Sequence, residues 1–168
     1  SVMGVVPRFL SCGIILEEGF SIEALTRIVA SMKVTADEAG VQIVTGDTKV
    51  VERGSADQIF INTSGIGMAH PGLRLSETPI QEGDRIVISG TIGDHGATVL
   101  SHRKGFDFQS DMVSDCAPLN GLIQEMLKAC QTIKFMRDPT RGGLATTLNE
   151  IAQDIHLGIL LDEAHIPI

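Results

Sequence analysis

The sequence predicts an α+β protein built in two parts. Three observations predict it. Between residues 8 and 69 strand-like and helix-like segments follow in the order β-α-β-β. From His70 to Gly83 the composition turns to Pro, Gly and polar residues. From residue 84 onward the order becomes β-α-α-α-β. The break divides the chain into a first lobe at 1–72 and a second at 73–168, with mixed or antiparallel sheets and packed helices.

"RFLSCGIIL" (8–16) reads as a buried strand. "SIEALTRIVASMKVTADEAG" (21–40) is an amphipathic helix, with Ser21 where an N-cap belongs and Gly40 where a C-cap belongs. Ile22, Leu25, Ile28, Val29 and Met32 recur at helical spacing and predict its core face. Two strands follow, at 41–52 and 57–69, joined by the short "RGSAD", which predicts an antiparallel hairpin. In the second part 84–93 reads as a strand, with a helix from Asp94 or His95. Helices are expected at 117–130 and around 146–155, and a short strand at 158–164. "SVMGVVP" opens in mid-pattern and "HIPI" stops soon after a strand-like run, so both ends read as cut.

Composition excludes several classes. The net charge of −8 and the absence of Trp and Tyr argue against a phosphate-backbone binder or a base-stacking platform. An anionic ligand would need a metal cation or backbone N–H groups to offset the protein's own charge. Cys12, Cys116 and Cys130 are too far apart for a C-x-x-C pair and odd in number, which predicts buried thiols in a reducing cytoplasm. No apolar run is long enough to span a bilayer, so no membrane partner is expected.

Three polar clusters interrupt this scaffold. In "TGDTK" (45–49), Gly46-Asp47 is either a β-bulge with Lys49 as an edge charge, or a ligand site. As a site, Gly46 lets a ligand approach and Asp47 offers a hard oxygen to Mg²⁺. Lys49, two residues on, shares the strand face of Asp47. In "MRDPTRGGLATTL" (136–148), Asp138 and Pro139 suit a helix start. Capping leaves Gly142-Gly143 unexplained, and a close phosphate or second backbone explains them better, with Arg141 adding a charge. In "SGTIGDHGATVLSHRKG" (89–105), Asp94 is a helix cap or a ligand group. His95 and His102 lack a third ligand at zinc spacing. His70, His156 and His165 read as solvent-facing. No Walker A and no complete G-x-G-x-x-G occurs, which disfavours P-loop and Rossmann enzymes.

In this order, "TGDTKVV" (45–51), "SGTIGDHGATVL" (89–100) and "RDPTRGGLATTLNEIA" (137–152) resemble the hydrogenase maturation factors of the HypE family. These are carbamoyl dehydratases in the superfamily of aminoimidazole ribonucleotide synthase, selenophosphate synthetase and thiamine-monophosphate kinase. The opening "SVMGVVPRFLSCGIILEEG" looks like the stretch after the superfamily's Asn-Asp metal motif. The likeness covers essentially the whole chain.

The resemblance implies ATP and Mg²⁺ as cofactors. It makes Asp47 and Asp138 metal acids, and Lys49 and His95 candidates for the chemistry. Gly46, Asp47, Thr48, Asp94, Thr140, Arg141, Gly142 and Gly143 would lie against the nucleotide. The implied reaction dehydrates a carbamoyl group on a C-terminal cysteine to a thiocyanate, whose cyanide goes to the iron of [NiFe] hydrogenase. Implied partners are a second copy, the carbamoyltransferase HypF and a HypC–HypD scaffold complex, all cytoplasmic. The family's Gly-rich phosphate segment, early metal acids and Cys tail have no counterpart in these 168 residues. The carrier is therefore expected to be none of Cys12, Cys116 and Cys130, and the 168 residues alone should not dehydrate. A rival expectation is a non-catalytic module that dimerises through 8–16, 41–52 and 58–69. Another is a superfamily kinase or selenophosphate synthetase.

Overall fold

A computed structural model describes residues 1–104 and 113–167. Two compact units divide them: Ser1 and Met3–Leu73 with Pro118–Gln131, and Val2, Arg74–Ala117 and Thr132–Ile168.

The first unit is a three-stranded mixed sheet with helices, as an α+β sequence should give. Strand β1 (Val5–Glu17) leads through helix α1 (Ile22–Glu38) to β2 (Gln42–Val51), and β3 (Ile59–Ala69) follows. The spatial order is β2-β1-β3, with β2 parallel and β3 antiparallel to β1. The expected β2–β3 hairpin is therefore wrong: β1 lies between the two strands. The reason sits at the end of β1. Glu17 accepts the Gly54 N–H at 2.5 Å and the Gln58 N–H at 3.1 Å, one on each carboxylate oxygen. Its own N–H donates to Gln58 O, and the next N–H, of Glu18, donates to Val51 O. The "RGSAD" link thus arches over the central strand instead of folding two neighbours together.

Helix α1 starts as expected, with the Ser21 hydroxyl accepting the Ala24 N–H at 3.2 Å. It ends with Gly40 N–H on Asp37 O and Val41 N–H on Ala36 O, the paired bonds of a Schellman stop. Its covered face is Leu25, Ile28, Met32 and Ala36, whereas Ile22 and Val29 are exposed, contrary to the periodicity reading. The core beneath is small and includes Cys12, Leu16, Ala36, Val41 and Ile123. Ile123 belongs to α3 (Asn120–Ala129), which is fastened by Asn120 to Ala39 O at 2.8 Å and by Gln124 to Val5 O at 3.4 Å. His70 is half-buried and its Nε2 lies 2.6 Å from Gln124 Oε1, so it is not the solvent-facing residue expected. His156 and His165 are exposed.

The second unit holds α2 (Asp94–Lys104) and α4 (Gly143–Ile155). Thr147, Leu148 and Ile151 on α4 are its buried centre. Neither expected strand, 84–93 or 158–164, is paired in a ladder with any described residue. Extended segments need a hydrogen-bonded neighbour to count as sheet. Instead Asp84 is clasped by Lys134 Nζ at 2.7 and 2.6 Å and accepts the Gln81 N–H. That ammonium, with the N–H, holds the Asp84 carboxyl below its ordinary value. A 3₁₀ turn at Glu163–His165 replaces the end of the second strand. Cys12 is buried as expected, but Cys116 and Cys130 are exposed. Among the described residues no helix is long and apolar enough to cross a membrane.

Candidate functional site

The GDTK segment lies on β2, opposite β1 in the register Cys12↔Gly46, Gly13↔Asp47, Ile14↔Thr48 and Ile15↔Lys49. Across β1, Gly13 faces Asn62 and Ile15 faces Phe60. Side chains alternate along a strand, and residues opposite each other share a face. Asp47 and Lys49 therefore share one face with Asn62 and Phe60, as their spacing predicts. Gly46 and Thr48 belong to the other face, that of buried Cys12. Thr48 is thus not brought beside Asp47 by its side chain; its N–H donates to Asp47 Oδ1 at 2.9 Å.

The ladder also explains Gly46. A Cβ there would sit 2.8 Å from the Cys12 carbonyl oxygen, too close for any side chain. The irregularity in pairing lies between Leu10 and Ser11, where Val44 is the extra residue, so Gly46-Asp47 is not itself the bulge. Gly13 presents the opposite case. A Cβ on it would meet only the Asn62 carbonyl oxygen, 3.9 Å away. The row Asp47–Gly13–Asn62 is therefore a shallow notch with a carboxylate on one side and a carboxamide on the other. The next row, Thr45–Ser11–Ser64, is hydroxyl-bearing throughout. Ser11, Asn62 and Ser64 were not singled out from sequence. Only the register, joined to the two-residue period, brings them beside Asp47.

The TRGG segment lies in the second unit. Helix α4 begins at Gly143, with Gly142 as its N-cap, so Asp138 and Pro139 do not start the helix as expected. Gly142 and Gly143 have φ of 80° and 62°, and the Gly143 N–H donates to Thr140 O at 2.9 Å. Two left-handed residues in succession stop the helix from extending back to Asp138. A Cβ at Gly142 would overlap the Thr146 side chain, whereas one at Gly143 would meet nothing within 4 Å. A left-handed φ accounts for glycine at both positions; crowding by Thr146 is added at Gly142, and open space remains beside Gly143. Asp138, Thr140 and Arg141 are exposed. Arg137 is tied to Glu150 of α4 at 2.5 Å.

The GDHG segment opens α2. Asp94 is its first residue and accepts the Thr91 hydroxyl at 2.5 Å, so it is a bonded member of the turn, not a free cap. His95 donates its N–H to Asp115 Oδ1 at 3.2 Å, and its Nδ1 lies 3.0 Å from Ser114 Oγ. His102 is exposed, and Gly105, the end of the third cluster, lies outside the described residues. Among the described residues no three His, Cys, Asp or Glu side chains gather to hold a metal by themselves. Asp47 and Asp138 are exposed single carboxylates. Taken singly, each is a hard oxygen donor of the kind that suits Mg²⁺, which keeps several waters and is commonly held by one or two carboxylates plus phosphate oxygens.

Comparison with known proteins decides the family. Residues 81–168 match the AIR synthase related protein, C-terminal domain, and residues 1–69 its N-terminal domain. The chain belongs to the AIR synthase related family. A carbamoyl dehydratase HypE from Azotobacter vinelandii is 52% identical over 168 residues, covering all of this chain and 49% of that protein. The chain spans about half the length of the curated relatives it matches. HypE in a crystal structure of the HypE–HypF complex superposes with a TM-score of 0.95 at 50% identity, over all of this chain and 55% of that one. HypE crystallised in complex with ATP gives 0.87 at 53% identity, over 92% and 46%. The fold of this AIR synthase related chain is thus that of its HypE relatives.

Proposed function

We propose that the chain is the part of an ATP-dependent carbamoyl dehydratase that carries the GDTK, GDHG and TRGG segments, with 1–72 completing a nucleotide-binding lobe and 73–168 opening the second. In the intact enzyme ATP phosphorylates the carbamoyl oxygen of a cysteine-bound S-carboxamide. Loss of phosphate and protons leaves the thiocyanate, with ADP and phosphate as the other products. The cyanide is destined for the iron of [NiFe] hydrogenase. The observation that carries this reading is the shared face of Asp47 and Lys49 on β2, in a chain half identical to a carbamoyl dehydratase along its whole length.

Asp47 and Asp138 would each offer a carboxylate to Mg²⁺, whose charge offsets that of the phosphates in a protein of net negative charge. Lys49 would handle the proton or developing charge beside Asp47, whose strand face it shares, and His95 would act from the start of α2. Asp94, Thr140, Arg141 and Gly142 would line the nucleotide path in the second unit, with Gly143 offering the open side found there, while Gly46 and Thr48 serve the ladder that holds Asp47. HypF is the proposed carbamoyl donor, by likeness to the HypE of the HypE–HypF complex, and a HypC–HypD complex the acceptor. The enzyme would work as a cytoplasmic homodimer. Exposed Phe9, Ile15, Phe60 and Ile66 on the sheet face shared with Asp47 are apolar surface of the kind such pairing buries.

The test is Asp47→Asn in the intact enzyme supplied with MgATP and a carbamoylated cysteine. Phosphate release should fall by more than about tenfold, because a charged ligand is lost. A near-normal rate in a folded variant would return Asp47 to a purely structural role.

A further inference from the structure

The His95 contacts come from Ser114 and Asp115, 19 and 20 residues further along the chain. Asp115 fixes the backbone of the first turn of α2 by accepting the His95 N–H. Ser114 addresses the ring, its half-buried hydroxyl lying 3.0 Å from Nδ1. That hydroxyl also accepts the Cys116 N–H at 3.2 Å, which fixes its oxygen and leaves its own hydrogen to give. We propose that Ser114 and Asp115 are positioning residues for His95, and that Ser114 sets the ring so that Nε2–H points outward as a hydrogen-bond donor.

The inference rests on the dehydratase reading for what His95 acts upon, but its geometry stands apart from it. A serine hydroxyl has one hydrogen and two acceptor sites. One acceptor site takes the Cys116 N–H, and the hydroxyl keeps its hydrogen for Nδ1; with that bond made to a neutral imidazole, the ring proton resides on Nε2. In the imidazolium both ring nitrogens carry hydrogen, Nδ1–H donates back to Ser114, and Nε2 is again a donor. With the serine bond made in this sense, Nε2 is a donor in both states. His95 would stabilise an oxygen on which negative charge develops and would not serve as a base through that nitrogen. Asp115 supports this by occupying the His95 N–H, so the backbone at this helix start offers the ring and not that amide.

The experiment has two arms. In the first, ¹⁵N chemical shifts of the His95 ring are read in this chain at about pH 8.5, above the range in which an imidazole ordinarily titrates. The expected result is a neutral ring protonated at Nε2, with Ser114→Ala moving it toward a mixture and Ser114→Thr restoring it. A ring protonated at Nδ1, or one unmoved by Ser114→Ala, overturns the proposal. If Ser114→Ala does not fold, the wild-type and Ser114→Thr spectra still decide the tautomer. In the second arm, the intact enzyme carrying Ser114→Ala should lose about tenfold in kcat, the value of one hydrogen bond, with KM for ATP little changed. Rescue by Ser114→Thr is expected. Loss through KM alone contradicts a positioning role. A wild-type enzyme without dehydratase turnover but with the Nε2–H tautomer would sink the functional reading and leave the geometry intact.

Discussion

In the first unit β1 is hydrogen-bonded along both edges, and the residues of interest take their places from its register. In the second, Asp84–Gly93 and Gly158–Ala164 carry strand-like sequence without a ladder among the described residues, and Val87 and Leu160 are 79% and 96% exposed. The two units hold their polar groups by different means. Asp47 and Lys49 are set by a cooperative array in which moving one residue means moving several. His95 and Arg137 are set by individual contacts with Ser114, Asp115 and Glu150. A substitution in the ladder should therefore act either on chemistry alone or on the stability of the whole sheet. Around the helix starts, a single lost hydrogen bond should move a site group while the unit stays folded.

Lys49→Ala offers the largest test of that contrast. The side chain is exposed and its backbone is held by pairing with Ile15, so truncation leaves the sheet in place. If Lys49 handles a proton or charge, turnover in the intact enzyme should fall by about a hundredfold, with ATP affinity within about threefold. Calorimetry with MgATP beside a phosphate-release assay separates the two quantities. Collapse of ATP binding would make Lys49 a phosphate contact instead.

Gly46→Ala should do the reverse. The added methyl meets the Cys12 carbonyl, which belongs to the central strand and cannot yield without opening the β1–β2 pairing. A cost of about 1–3 kcal/mol is expected from such overpacking, read as a lower urea midpoint at unchanged slope. An unchanged midpoint would show that the ladder does not dictate this glycine.

The paired glycines of the second unit should separate by a smaller margin. Gly142→Ala and Gly143→Ala both place Ala in a left-handed conformation, at roughly 1–2 kcal/mol each by the cost of that backbone. Only Gly142→Ala also drives a methyl onto Thr146. It should be the less stable of the two in thermal unfolding. Gly143→Ala should instead weaken ATP binding in the intact enzyme, if its open side faces the nucleotide. Equal stabilities would remove the distinction drawn between the two positions.

What could be read from sequence follows the same division. Helix α1 was legible because Ser21, Leu25, Ile28 and Met32 carry local signals of cap and period, and local signals determined it. The sheet order was not, since "RGSAD" looks like a hairpin turn while the Glu17 clamp that defeats it is 37 residues from Gly54. Asp138-Pro139 looked like a helix start because sequence cannot weigh a cap against two left-handed glycines further on. The polar clusters themselves were evident, since charges and glycines interrupting apolar runs are visible one residue at a time. Their neighbours were hidden. Ser114 and Asp115 reach His95 over a distance with no period to follow, and Asn62 reaches Asp47's face only through β1.

The smallest effect tests the clamp that sets the sheet order. Glu17 holds its carboxyl below the ordinary value of 4.5, first through the Gly54 N–H, then the Gln58 N–H, with Arg53 adding a lesser attraction. Two N–H groups favour the carboxylate because both of its oxygens accept. A depressed carboxylate contributes stability that is fully present above its unfolded value and is lost as pH falls through the lower folded value. The sensitive window therefore lies from about pH 4.5 downward, and neutral pH is a plateau. Glu17→Gln keeps one acceptor but turns an amide N–H toward the other donor, so it should melt lower than wild type at neutral pH. Because the variant does not titrate, the gap between the two melting temperatures should narrow as pH drops through that window. A gap that stays constant from neutral to acid pH would mean that the arch over β1 is held by the backbone bonds of Glu17 and Glu18 alone.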